Sequence, residues 1–453
     1  MNAPWLAVPR SLQSVAAVSR STSASALRSS ASSSSSPLNI CRTCRRSRTR
    51  TGVPSRAYSS SAGAQVPTAG AASLASRRLI SVSGPDAAKY LQGVITSNIL
   101  RLQTTQDDGS AAVAAPQTGL YSAFLSAQGR VLHDVFVYRD TLGVGKNASN
   151  SDASFLIEVD AESATILAKH IRRYKLRAKF DVRLLDAGEV NVWHGWGLPE
   201  GQQASSFGAE SDLIAHNDTR APGLGWRFIA LAASTSSTLR PQIELDVADE
   251  SAYRVRRYLL GVAEGQREIL HNQALPLESN IDLMGGIDFH KGCYVGQELT
   301  IRTRHRGVVR KRILPCLVYG PEDEQPRSLA VDAHGAGTGL ADTIPGETSI
   351  GRVGKKGRSA GKWLSGVGNL GLGLCRLETM TDAVLPGEAA AAAATAAATF
   401  DPTSEFVMNV VEKVDGDADG EAEGEAAASA PTTVVKIKAF VPDWLRQGLT
   451  PVA

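Results

Sequence analysis

Acidic residues are missing from the first part of this 453-residue chain: no Asp or Glu occurs before Asp86. The bases there are all arginines, among them Arg10, Arg20, Arg42, Arg45, Arg46 and Arg50, interleaved with serine runs such as Ser32–Ser36. An Arg-rich, Ser-rich, acid-free leader has the composition of an organellar transit peptide, drawn by its charge across a membrane that is negative inside. Cysteine is also scarce. The five thiols, Cys41, Cys44, Cys293, Cys316 and Cys375, are odd in number and thinly spread, which argues against a disulfide-stapled secreted domain. Apolar runs of about 18 residues are absent, which excludes a spanning helix by the usual length criterion. Excess charge is missing too: the net of +3 is small for this length and does not suggest a dedicated nucleic-acid binder.

The leader is assigned to residues 1–75, with Arg56-Ala57-Tyr58-Ser59-Ser60 resembling a matrix-processing site. Cys41-x-x-Cys44 has half the spacing of a zinc site, but no second Cys/His pair lies nearby, so it is read as part of the leader. Past it, periodicity gives a coarse α+β pattern over 76–310. Tyr121–Leu125 and Val131–Tyr138 read as strands around the turn Ala127-Gln128-Gly129-Arg130, with Phe155–Val159 as another. Ala161–Tyr174 reads as a helix with Ile166, Leu167, His170 and Ile171 on one face, and Asp249–Leu260 as a second helix. From Lys311 to the end the chain becomes strand-rich with glycine-rich connections, which fits a small β-barrel or β-sandwich. The Ala tract Ala389–Ala398 and the acidic Gly/Ala stretch Asp415–Ser429 read as disordered insertions, within about 385–430. Cys316 and Cys375 fall in strands and read as core residues.

The most informative stretch is His290-Lys291-Gly292-Cys293-Tyr294-Val295-Gly296-Gln297-Glu298. Glycines on both sides of Cys293 permit a tight turn or close approach by a ligand. Lys291 and His290 before it, and Arg302, Arg304, His305 and Arg306 after it, are cations that would favour the thiolate, the form that binds metal or attacks electrophiles. A lone cysteine is, however, more often a small buried hydrophobe than a reactive group. Gln297 and Glu298 are read equally as hydrogen-bonding partners of the turn. From the residues alone the function stays open.

Lys291–Glu298 resembles the KGCYxGQE signature of a folate-binding-like family that includes a bacterial protein and mitochondrial iron–sulfur assembly factors. Pro276-Leu277-Glu278, Phe124–Arg130, Arg304–Lys311, Gly351-Arg352-Val353 and Gly371–Leu374 resemble flanking segments of that family. The resemblance implies an aminomethyltransferase-like α+β fold: an N-terminal α+β part, a ferredoxin-like middle part and a C-terminal β-barrel around a central channel. It implies tetrahydrofolate as a cofactor and a matrix protein supporting maturation of [4Fe–4S] clients such as aconitase-type enzymes and lipoyl synthase. The partners it implies are A-type cluster carriers, with no nucleic acid and no membrane span. Cys293 would be the candidate thiolate and a shared ligand of a transient cluster, in an assembly factor rather than an enzyme. Lys291, Gly292, Tyr294, Gly296, Gln297, Glu298, Arg130 and Asp134 would line the cofactor or cluster site. The alternatives are a folate-dependent aminomethyltransferase, whose paired acids align with His133-Asp134 here, and a non-catalytic folate-binding scaffold.

Overall fold

Alternation along Val131–Arg139 (β4) gives that strand two different faces: Val135 and Val137 point one way, Asp134, Phe136 and Tyr138 the other. β4 pairs antiparallel with β3 (Gly119–Leu125) and β5 (Ser154–Asp160). β2 (Arg77–Ser83) and β6 (Asp181–Leu184) complete a five-stranded sheet of order β3-β4-β5-β2-β6. Helices α1 (Ala87–Val94) and α2 (Ala164–Tyr174) cover its valine-lined face, where Leu91, Leu167 and Ile171 pack with Val82, Val135 and Ile157. On α2 the buried stripe is Ala164, Leu167, Ala168 and Ile171. Ile166, read from sequence as part of that stripe, is 56 % exposed, because the helix is rotated to turn its small residues inward.

The computed structural model describes residues 67–103, 117–145, 154–199, 201–208, 213–231, 245–331, 339–354, 357–383, 400–411 and 432–449. The processing site, Cys41, Cys44, the Ala tract and the acidic Gly/Ala stretch lie outside them. The leader assigned to 1–75 overruns the fold, since β1 (Gly70–Ser73) is already a strand. Its Gly-Ala-Ala-Ser sequence carries no strand pattern, and its place comes from long-range pairing to β7 (Val190–Trp196) and β10 (Val247–Ala248). With β8 (Leu213–Asn217) and β9 (Trp226–Leu231) these form the second sheet, β10-β1-β7-β9-β8. Helix α3 (Glu250–Leu260) follows, ended by Gly261 in the left-handed conformation at φ +71°.

The last third closes into a six-stranded barrel, β11-β14-β13-β12-β15-β16. Its strands are β11 (Lys311–Tyr319), β12 (Ser349–Arg352), β13 (Gly361–Val367), β14 (Leu370–Arg376), β15 (Phe406–Val411) and β16 (Thr432–Ala439). Closure leaves no sheet edge unpaired. Leu314, Cys316, Trp363, Cys375, Met408 and Ile437 fill it, so the two barrel cysteines are core residues. One large core joins the inner faces of both sheets to β11 and β14, with Phe136, Trp196, Tyr253, Leu317 and Leu372 among its members. No helix among the described residues is long and apolar enough to cross a membrane.

Candidate functional site

The Cys293 loop is held to the end of α1 by an ammonium clamp. Lys291 Nζ donates to the carbonyls of Gln92, Ile95 and Ser97 at 2.7, 2.8 and 2.9 Å. The carbonyls left over at a helix C-terminus attract a cation there. Burial lowers the Lys291 ammonium to about 8, against the pull of Asp288, so near neutral pH it offers three N–H groups to three acceptors. Beyond the charge that the sequence reading assigned to it, Lys291 thus has a structural job: its hydrogens are committed to backbone carbonyls at and just beyond the end of the preceding helix. Its charge also lies 5.1 Å from the centre of the Tyr294 ring.

The rest of the loop is tied down on either side of the thiol. Asp288 N–H donates to Thr96 O and Val295 N–H to Gly93 O, both at 3.0 Å. The Thr96 and Ser97 hydroxyls both donate to Gly286 O. Gln297 Oε1 accepts from Tyr294 N–H at 3.2 Å, so Gln297 braces the turn. Tyr294 is buried, whereas Gly292, Cys293 and Val295 are exposed. The outcome is a solvent-facing thiol on a backbone fixed at both ends. Gly292 has no neighbour within 4 Å of where a side chain would start, so its own chain does not demand glycine there. Gly296 is different. At φ +80° it caps α4 (Gln297–Arg306) in the left-handed region and lies against the β3–β4 turn.

That turn carries Arg130, whose Nη1 donates to Gln273 O at 2.5 Å. Arg130 thus fastens the turn to the segment before the loop. Glu298 is exposed in the first turn of α4, where a carboxylate suits the positive helix end. Behind α4 lies a cleft of about 280 Å3 walled by Leu275, Leu277, Leu299, Thr300 and Val309.

Asp134 belongs to another place. It projects from β4 into the interior, fully buried, accepting Gly265 N–H at 3.2 Å with Arg77 Nη1 3.7 Å away. Burial raises its pKa, with Arg77 opposing. Sequence reasoning missed what surrounds it, a buried charge network centred on Arg227. Arg227 donates to Glu158, Asp218, Glu264 and the Tyr253 hydroxyl. Arg220 grips Asp218 at 2.9 and 2.7 Å, Arg77 meets Glu158 at 2.7 Å, and Arg257 meets Glu268 at 2.7 and 3.1 Å. Burial pushes the Glu264 carboxyl up, but Arg227, Arg220, Arg77 and Arg257 outweigh it and hold the group well below the usual carboxylate range. Next to Asp134, His133 is driven down to about 3 by burial and by His271. The only sequence cue to the network is the arginine content of strands and helices whose other residues are apolar.

Comparison with known proteins bears on both places. Residues 310–403 match the CAF17 C-terminal beta-barrel domain. The mitochondrial iron–sulfur cluster assembly factor IBA57 homolog of Pyricularia oryzae is 51 % identical over 84 % of this chain and 86 % of its own. The homolog of the same name from Chaetomium globosum is 50 % identical over 84 % of each, and that from Neurospora crassa 44 % identical over 90 % of this chain and 87 % of its own. Among solved structures, the glycine cleavage system aminomethyltransferase T of Bartonella henselae superposes with a TM-score of 0.50 at 13 % identity, covering 82 % of this chain and 86 % of that one. That likeness establishes an aminomethyltransferase-like fold.

Proposed function

Since the chain belongs to the family of mitochondrial iron–sulfur cluster assembly factors, we propose that Cys293 supplies one thiolate to an iron–sulfur cluster shared with an A-type carrier. The observation that carries this reading is the exposure of Cys293 on a loop fixed on both sides of it. One thiolate cannot enclose a cluster, so the remaining ligands come from the partner. A pre-ordered loop lowers the entropy lost when that partner binds. The exposed Gly292 next to the thiol lets a partner backbone come close. In this role Lys291, Tyr294, Gly296, Gln297 and Arg130 position the loop, and Glu298 stands at the start of the helix beside it. The protein works in the matrix on [4Fe–4S] clients, aconitase-type enzymes and lipoyl synthase among them. The mitochondrial designation of its relatives supports the compartment.

Tetrahydrofolate, the cofactor implied by the resemblance, would meet interior acids that are already engaged within the chain. Asp134 is sealed by Gly265 and Arg77, and the carboxylates of Glu158, Asp218, Glu264 and Glu268 are each taken by an arginine. No step of the proposal passes through folate, and aminomethyl transfer has no observation in its favour.

The test is anaerobic mixing of the chain with a cluster-loaded A-type carrier, followed by visible absorption and circular dichroism. The wild type should form a heteromeric cluster with a spectrum distinct from the carrier's own, and Cys293→Ser should not. In cells lacking the protein, Cys293→Ser should leave [4Fe–4S] enzyme activity unrestored. Full restoration by the serine variant would end the ligand reading.

A further inference from the structure

Helix α4 is an anomaly as a piece of a folded monomer. Helices in globular proteins are stabilised chiefly by burying an apolar face. Over ten residues α4 buries only Thr300. Arg302, Arg304, His305 and Arg306 are all exposed. Among the described residues no carboxylate pairs with Arg302, Arg304 or Arg306, and the one contact of this kind is Arg304 over the Phe289 ring at 5.2 Å. Arg302 and Arg306 stand four residues apart, a like-charge spacing that costs a helix a few tenths of a kcal/mol. Two exposed valines flank the helix, Val295 at 44 % and Val308 at 41 %. The apolar cleft behind it opens beside Arg310, Lys311 and Arg376.

We infer that this face, the cationic side of α4 together with the cleft behind it, is the docking surface for a partner protein that presents carboxylates around one apolar side chain. An apolar centre within a charged rim is the ordinary anatomy of a protein interface. The charge fixes the sign of the partner: acidic groups meet the arginines, and the apolar side chain enters between Leu275, Leu299 and Val309. Position fixes which partner. α4 begins four residues after Cys293, so a partner that covers the start of α4 stands beside the thiol. The inference rests on the reading of Cys293 as a shared ligand and adds to it the chemistry of the surface that brings the second ligand set. Thiolate-bound clusters are themselves anions, which places a second negative charge opposite the same arginines. Nucleic acid is disfavoured because Phe289 beside the patch is only partly exposed and lies under Arg304, which leaves it poorly placed to stack on bases. The acids Glu278 and Glu298 also interrupt the patch.

The experiment is stopped-flow association of the full chain with a cluster-loaded A-type carrier across ionic strength, from about 50 to about 300 mM salt. The wild-type on-rate should fall by about tenfold over that range. Arg302→Glu with Arg306→Glu should lower it by about tenfold at low salt and remove most of the salt dependence. Both positions are exposed, so the thermal midpoint should stay at the wild-type value. Val308→Asp should weaken the complex through repulsion and loss of apolar contact. Cys293→Ser should leave the on-rate unchanged while abolishing the shared-cluster spectrum. If the serine variant keeps that spectrum, the ligand reading fails and the docking surface stands. An on-rate for the arginine double variant within about twofold of wild type overturns the inference, whatever Cys293 does. So does binding of the wild type to anionic phospholipid vesicles or to RNA that the same double variant loses while carrier association is unaltered.

Discussion

Gly129 and Gly296 meet where the β3–β4 turn touches the start of α4. A Cβ on Gly129 would lie 2.8 Å from Gly296 O, and a Cβ on Gly296 would lie 2.3 Å from Ser126 O. Both residues have positive φ, +79° and +80°. Two segments about 165 residues apart in sequence thus depend on each other having no side chain. Gly296→Ala should therefore be strongly destabilising, on the order of 3 kcal/mol from backbone strain and collision together. Gly292→Ala, directly beside the same thiol but in open space, should change stability by less than about 0.5 kcal/mol. Urea unfolding of the two variants side by side decides this, and equal losses would refute the account.

Lys291 makes a separate prediction. Lys291→Met keeps most of the side-chain volume but strips the donors from three carbonyls. A loss on the order of 2 kcal/mol follows from hydrogen bonds to a charged group left unmade. Hydrogen exchange should speed up at the amides of Asp288 and Val295, which pair with the same stretch of backbone. Protection equal to wild type at both amides would show that the clamp is not what orders the loop.

The strands were legible where local chemistry decides structure. Val131–Tyr138 is rich in β-branched and aromatic residues, and the turn before it contains Gly129, so strand propensity and a turn residue agree. α4 was not legible as a helix, because Gln-Glu-Leu-Thr-Ile-Arg-Thr-Arg-His-Arg has no apolar stripe to reveal a period. The Cys293 loop could be singled out by its motif, but the job of Lys291 could not. Its acceptors are backbone carbonyls almost 200 residues earlier, and carbonyls leave no trace in a sequence. The interior network is hidden for a related reason. Arg227 and Glu158 are 69 residues apart, and only the packing of two sheets brings them together.

That packing also predicts how the fold responds to acid. Burial lowers His133 and His194 to about 3 and His216 to about 4. Unfolded, each would titrate near its ordinary value of about 6.5. As the pH falls through about 6.5 the unfolded chain takes up protons that the folded chain refuses, so stability is lost. Each histidine contributes about 1.4 kcal/mol per pH unit until its folded value is reached. Glu264, held low by its arginines, adds its own loss below about pH 4.3, where the unfolded carboxyl protonates first. The urea midpoint should be flat near pH 7 to 8 and fall steadily below about 6.5, with His216→Phe reducing the slope. A midpoint constant from about pH 6.5 to about 4.5 would contradict burial of these rings in the neutral form.

The thiols give the most direct separation of surface from core. Cys316 and Cys375 are fully buried with their sulfurs 3.7 Å apart, and both sulfurs occupy the space over Gly373, each 3.2 Å from where its Cβ would be. Burial pushes the Cys316 thiol well above its ordinary value, so it is neutral and shielded as well. Cys293 has none of this cover. In the native protein a limiting amount of iodoacetamide should alkylate Cys293, while Cys316 and Cys375 should react only after denaturation, as read by peptide mass mapping. A carrier bound at α4 should then slow alkylation of Cys293 without changing the other two. Labelling of Cys316 or Cys375 at the Cys293 rate would mean that the barrel opens in solution. Unchanged Cys293 labelling in the carrier complex would mean that the partner docks elsewhere, and the shared-ligand geometry would fall with it.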